Sequence, residues 1–319
     1  MRLAIAAATL VAAAAFATEF LPEAGPLPPN TMQRLLVVDA ARAGNRLVVV
    51  GDRGYIVTSD DNGATWKRAK APASPLLTSV RFIDEKRGWA VGHDSIILAT
   101  ADGGETWTKQ FSAVDEQRPL LGVHFLDAKH GYAVGAYGAF YETTDGGAKW
   151  TARKVIGDDK HLNAIVAAGK DTLVIFGEAG MLLRSTDAGA TWQAVAAPYK
   201  GSFFGGVVAK DGALVAFGLR GRIYRSTDAG KSWTQVPSVS EFTLMNGTLL
   251  ADGTIVLTGA AGTVLTSRDD GRTFSAVPSG RRGVISKALP GAGDSLLLAG
   301  DSGVRELKTG AAPSGTGSK

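Results

Sequence analysis

Six segments of the chain repeat one pattern, S/T-x-D-x-G-x-x-W/F, and the regularity of that repeat constrains the fold more than anything else in the sequence. They are Ser59-Asp61-Gly63-Trp66, Thr100-Asp102-Gly104-Trp107, Thr143-Asp145-Gly147-Trp150, Ser185-Asp187-Gly189-Trp192, Ser226-Asp228-Gly230-Trp233 and Ser267-Asp269-Gly271-Phe274. Their closing aromatics lie 41, 43, 42, 41 and 41 residues apart. A second marker precedes each box. Glycine pairs stand at Gly51/Gly54, Gly135/Gly138, Gly177/Gly180, Gly218/Gly221, Gly259/Gly262 and Gly300/Gly303, with Gly92 and Ser95 in the second unit. The last pair has no box after it, which makes seven units.

Units of about forty residues, each with room for four short strands, are the signature of a β-propeller. In the second unit Ser79 to Asp84 reads as the inner strand, Gly88 to Val91 as the next, Ile96 to Thr100 as the third and Thr106 to Lys109 as the outermost. The predicted fold is all-β, a seven-bladed propeller of four-stranded blades over residues 18–308. Gly is abundant, at 41 of 319 residues, as the many tight turns of such a fold require. The seventh unit supplies three strands only. Residues between Thr18 and Met32 are the candidate to complete that blade, but Pro22, Pro26, Pro28 and Pro29 limit them to a short edge strand.

The ends read differently. Arg2 followed by the apolar run Leu3 to Phe16 and the small-x-small site Ala15-Phe16-Ala17 predicts a signal peptide over residues 1–17, and hence a periplasmic protein. Residues 309–319 are rich in Gly, Ser and Ala and read as a flexible tail. The chain has no cysteine, which excludes disulfides, thiol catalysis and a lipid-modified Cys. A formal charge of +4 is too small and scattered to suggest nucleic acid.

The box itself reads as a structural turn between third and outermost strands. An Asp carboxylate and a Ser or Thr hydroxyl can bond nearby backbone, the Gly permits an unusual backbone angle, and the Trp can bury its ring between sheets. A catalytic group is not needed once per blade, so Asp61, Asp102, Asp145, Asp187, Asp228 and Asp269 are assigned to structure. Strand alternation places box turns on one face and glycine-pair turns, with the inter-blade connections, on the other.

Box and glycine pair together, as in Gly51 to Trp66 and Gly177 to Trp192, resemble the photosystem II stability/assembly factor-like family of BNR/Asp-box proteins. His161-Leu162-Asn163-Ala164-Ile165, Gly201-Ser202-Phe203-Phe204-Gly205 and Gly218-Leu219-Arg220-Gly221 are similar to segments of its members in non-photosynthetic bacteria. The resemblance implies a seven-bladed scaffold that binds an assembling membrane-protein partner. Its bacterial members are exported, and some accompany RND-type exporters.

Candidate site residues sit on the glycine-pair face, where a rigid frame carries variable side chains. Arg53, Tyr137, His161, Glu178, Phe204 and Arg220 are the candidates for partner binding. At the register of Leu77 the units carry Leu36, Leu120, Leu162, Phe203, Leu244 and Ile285, all apolar and so read as core. The next register holds Val37, Thr78, Leu121, Asn163, Phe204, Met245 and Ser286, a variation that suits the channel mouth. The competing reading is a carbohydrate-binding or glycoside-hydrolase propeller using two of Asp94, Glu178 and Asp301. A sialidase is disfavoured by the lack of an Arg-Ile-Pro motif. The four histidines show no metal-ligand spacing, and no cofactor is expected.

Overall fold

The computed structural model describes residues 24–72 and 75–308; the leader and tail expected at 1–17 and 309–319 lie outside them. Seven antiparallel sheets follow one another along the chain, a seven-bladed β-propeller. The second blade shows the pattern, with strands Leu77–Phe82, Gly88–Gly92, Ile97–Thr100 and Thr108–Phe111 running from the axis outward. Inner strands of neighbouring blades pack face to face, including those of the first and seventh.

Each glycine of a pair answers a different physical demand. At Gly51 a Cβ would collide with the Leu36 carbonyl, where the strand runs past its own blade's entry. At Gly54 φ is +64°, following Arg53 at +51°. Two successive left-handed residues, closed by Tyr55 N–H donating to Asp52 O at 3.0 Å, are what a type I′ hairpin turn requires. Five further blades place a non-glycine residue at that first left-handed position: Asp94, Tyr137, Ala179, Arg220 and Ala261.

The boxes form closed hydrogen-bond circuits. Ser59 Oγ donates to Asp61 Oδ1 at 2.7 Å and accepts from Gly63 N–H at 2.8 Å, while Thr65 N–H and Oγ1 donate to the two Asp61 oxygens. Trp66 and Trp107 turn their indole N–H onto the box glycine carbonyl, at 2.9 and 3.1 Å. Trp107, Trp150 and Phe274 are buried, whereas Trp66, Trp192 and Trp233 are only half-buried. The sixth tryptophan, Trp89, belongs to no box and stacks on Phe125 at 3.5 Å between blades two and three. A long side chain of the preceding blade ties down several box turns. Gln110 donates to Gly146 O, Arg184 to Ala229 O and Arg225 to Asp270 O.

The first blade corrects the expected register. Every other blade runs fifteen residues from the first core position of the inner strand to its glycine partner, as Leu77 to Gly92. In the first blade Gly51 pairs with Val37, not Leu36, because the hairpin around Gly44 is one residue shorter. Val37 is therefore the buried equivalent of Leu77, and Leu36 is 44% exposed.

Ring closure also departs from expectation. A short N-terminal strand exists, Gly25–Pro26, but it pairs with Lys67–Arg68 at the outer edge of the first blade and not with the seventh. Among the described residues the seventh blade keeps three strands, Ile285–Pro290, Ser295–Gly300 and Gly303–Lys308. The seam is held instead by apolar packing and by hydrogen bonds from side chain and backbone. Met32, Val37, Leu47, Leu289 and Leu297 form one apolar cluster across it. Arg42 donates to Pro290 O at 2.6 Å, and Gly303 N–H to Leu35 O at 2.9 Å.

Candidate functional site

All seven inner strands carry a β-bulge just after their first core residue. A bulge adds one residue that the ladder does not pair, and it re-aims the strand locally. The added residues are Val38, Thr78, Leu121, Asn163, Phe204, Met245 and Ser286, and all seven line the central channel, a cavity of about 500 Å³. Variation at the register after the core position thus marks the channel wall, with Val38 in place of Val37.

Three of these bulge residues brace the ring. Thr78 Oγ1 donates to Leu120 O, Asn163 Nδ2 to Phe203 O at 2.8 Å and Ser286 Oγ to Val37 O at 2.8 Å, each reaching the core residue of the next blade. The apolar four, Val38, Leu121, Phe204 and Met245, leave their carbon surface to the channel.

Of the sequence candidates, three meet. Tyr137 and His161 make an edge-to-face contact with centroids 5.0 Å apart, and Glu178 accepts the His161 backbone N–H at 3.1 Å. His161 and Phe204 line the channel, whereas Arg53, Tyr137, Glu178 and Arg220 lie outside its lining. Arg53 pairs with its neighbour Asp52 at 3.5 Å and is otherwise open to solvent, and Arg220 is exposed on the fifth blade's turn.

Two of the three carboxylates considered for glycoside chemistry, Glu178 and Asp301, are engaged by backbone N–H groups. Glu178 and Asp301 occupy equivalent positions and each accepts the backbone N–H just before its inner strand, from His161 and Val284. Neither they nor Asp94 line the channel. The box aspartates are likewise committed. Asp61 and Asp187 are held near pKa 2, first by the hydroxyls of Thr65 and Thr191 and then by backbone N–H groups. Among the described residues no cluster of His, Asp and Glu could hold a metal ion, and no helix is long and apolar enough to cross a membrane.

Sequence reasoning missed a charged group inside the ring. Lys287 is 4% exposed; its ammonium donates to Asn246 Oδ1 at 2.9 Å and lies 4.0 Å from Asp39 Oδ1. Asp39, also 4% exposed, accepts Val80 N–H at 3.0 Å and Ser79 Oγ at 3.3 Å through its other oxygen. The belt Asn246–Lys287–Asp39–Ser79 spans four successive blades across the seam. Burial pushes the lysine down to about pKa 8; Asp39 opposes that shift and Arg81 adds to it. The signal was a lone lysine among apolar residues, which a single repeat cannot distinguish from a solvated one.

Ring, bulged channel and committed boxes define an Asp-box propeller whose variable surface is the channel and its glycine-pair mouth. More specifically, the chain belongs to the family of the photosynthesis system II assembly factor YCF48, whose model matches residues 62–119 and 110–241, more than half of its length. A photosystem II stability/assembly factor from Cyanidioschyzon merolae is 38% identical over 61 residues, 18% of this chain and 14% of that protein. The matched stretch is thus a small part of that relative. Among solved structures, YCF48 bound to D1 peptide superposes with a TM-score of 0.68 at 21% identity, covering 89% of this chain and 93% of that one. Virginiamycin B lyase from Staphylococcus aureus reaches 0.73 at 13% identity over 88% and 97%, so the same fold also carries enzymes.

Proposed function

We propose that this chain is an exported, non-enzymatic scaffold that holds an extended segment of a membrane or envelope protein against its channel mouth. One observation carries the reading. Of the large apolar side chains that the described residues expose, Leu36, Val114, Tyr137, Val239, Phe242 and Met245 belong to glycine-pair turns, inter-blade connections or the mouth end of an inner strand. Only Leu249 belongs to the opposite end. Topology thus gathers them on one face, and apolar groups gathered on one face mark an interaction surface. The solved YCF48 complex, with its D1 peptide, agrees with a peptide segment as the occupant. The exported setting rests on the run from Arg2 to Ala17. An RND-type exporter complex is the partner context suggested by the non-photosynthetic members of the family.

Photo-crosslinking residues placed at Tyr137, Phe242 and Leu249 test the assignment in envelope preparations. A discrete adduct from the first two positions and none from Leu249 is the expected result. Adducts from Leu249 alone would reject the mouth as the docking face. With a further probe placed at Met245, Tyr137→Glu combined with Phe242→Glu should remove the adduct formed there while the melting temperature stays unchanged.

A further inference from the structure

The outer rim of the seventh blade differs from that of the other six. In those blades the third strand is covered by a further strand on its outer side. The carbonyls of Ile56, Phe140, Leu182 and Val264 accept an N–H of the covering segment, from Ala69, Arg153, Val195 and Val277, each at 2.9 Å. Arg305 stands at the equivalent position of the seventh blade, where Gly303–Lys308 is the outermost strand among the described residues. Phe140, Tyr141 and Thr143 are buried, whereas Arg305 and Leu307 are half-buried and Glu306 and Lys308 exposed. Backbone groups alternate in direction along a strand. The N–H and C=O of Arg305 and Leu307 therefore point outward, and those of Glu306 inward to Ser295–Gly300. An edge of this kind is a template for another strand.

Its side chains point to a particular strand. Arg305 and Leu307 turn to the sixth blade, where Arg305 donates to Ser279 O at 3.0 Å and Leu307 packs with Val277. Glu306 and Lys308 share the opposite face with Val304. Two copies of one strand joined antiparallel about a twofold axis keep like faces together only when a residue lies on the axis. Centring on Arg305, Glu306 or Lys308 sets a charge against its own like. Centring on Gly303 or Val304 is blocked by the segment from Met32 to Leu35, against which Gly303 already lies. Centring on Leu307 sets Leu307 against Leu307 and Glu306 against Lys308 twice. There the outward groups of Leu307 form the hydrogen-bonded pair, and the opposite charges fall at the closer, non-bonded positions. We propose that Gly303–Lys308 is a dimerisation edge, pairing with the same strand of a second copy in the register centred on Leu307. The pairing does not rest on the docking of a peptide at the mouth.

A single strand pair is a small interface, so the association should be reversible and visible between about 5 and 500 µM. Sedimentation velocity of the full chain across that range should show the mass rising from one copy towards two. Glu306→Lys and Lys308→Glu each set like charges against one another at both positions. Each should weaken the association about tenfold, and Glu306→Lys/Lys308→Glu should restore it. Both side chains are exposed, so all three variants should keep the wild-type melting temperature. A chain that stays monomeric at every concentration overturns the proposal and leaves the edge to another occupant, such as residues 309–319 of the same chain. So does a dimer that the single reversals leave intact, or one that the double reversal fails to recover.

Discussion

Ser286 Oγ donates to the carbonyl of Val37 at 2.8 Å, and in doing so joins the last blade to the first. The same bond links Thr78 to Leu120 and Asn163 to Phe203 at interior blade junctions. The seam is therefore built as an ordinary blade junction, and it has further ties. Lys287 faces Asp39 next to this bond, and Arg42 caps Pro290 at the box end. Among the described residues these ties close the ring with the short N-terminal strand on the first blade and three strands in the seventh.

Seam variants should separate these contributions. Ser286→Ala removes one bond and leaves Val37 O to find water, at a cost of about 1 kcal/mol. Asp39→Ala is expected to cost about 3–5 kcal/mol, because it strands a buried ammonium. Asp39→Asn/Lys287→Met removes both charges and should recover most of that loss. Urea denaturation of the three variants is the check, and a cost below about 1 kcal/mol for Asp39→Ala would show that the pair does not hold the seam.

The same lysine gives the protein an alkaline signature. Its folded pKa of about 8 lies below the ordinary 10.5. Between pH 8 and 10 the unfolded chain keeps a proton that the folded chain has released, so stability rises with pH across that window, by about 2 kcal/mol. Burial raises the pKa of Tyr132, Tyr141 and Tyr224, and their effect sets in above this window with the opposite sign. Urea midpoints measured at pH 8, 9 and 10 should climb in the wild type and stay level in Asp39→Asn/Lys287→Met. In acid the slope has the same sign, from a different set of groups. Asp61 and Asp187, depressed to about 2, contribute stability above 3.8 that is lost as pH falls towards 2.

Boxes and glycine pairs were legible because each is a local circuit, closed within a few residues by its own side chains, so the pattern and the geometry are one fact. Leu36 was misplaced for the opposite reason. Counting back from Gly51 assumes equal hairpins, and the shortened turn around Gly44 shows only when strands pair. Asp39 and Lys287 lie at opposite ends of the sequence, so their pairing exists only once the ring has closed. Nothing in the repeat distinguished Trp89, whose partner Phe125 belongs to another blade.

Box tryptophans should not be energetically equal. Trp107 is 4% exposed and packs edge-to-face on Phe82 at 6.1 Å, so Trp107→Ala is expected to cost about 3–5 kcal/mol. Trp66 is half-buried at the seam cluster, and Trp66→Ala should cost clearly less. Thermal or urea unfolding of the two variants, compared side by side, decides it. Equal losses would mean that the indole bond to the box glycine, common to both, outweighs ring burial.

The left-handed turn tips link stability to function. Arg220 sits at φ +56° and Tyr137 at +55°, a conformation that costs a side-chain-bearing residue about 1 kcal/mol and that Asn tolerates better. Arg220→Asn should accordingly stabilise the fold by several tenths of a kcal/mol, since Arg220 makes no bond among the described residues for the change to lose. If the strain persists because these tips carry recognition, the same variant should weaken the crosslink formed at Tyr137. Unfolding curves and crosslink yields taken on one preparation read both effects. A stabilised variant with undiminished crosslinking would detach the fifth-blade turn from the docking face and confine recognition to the Tyr137–His161 side of the mouth.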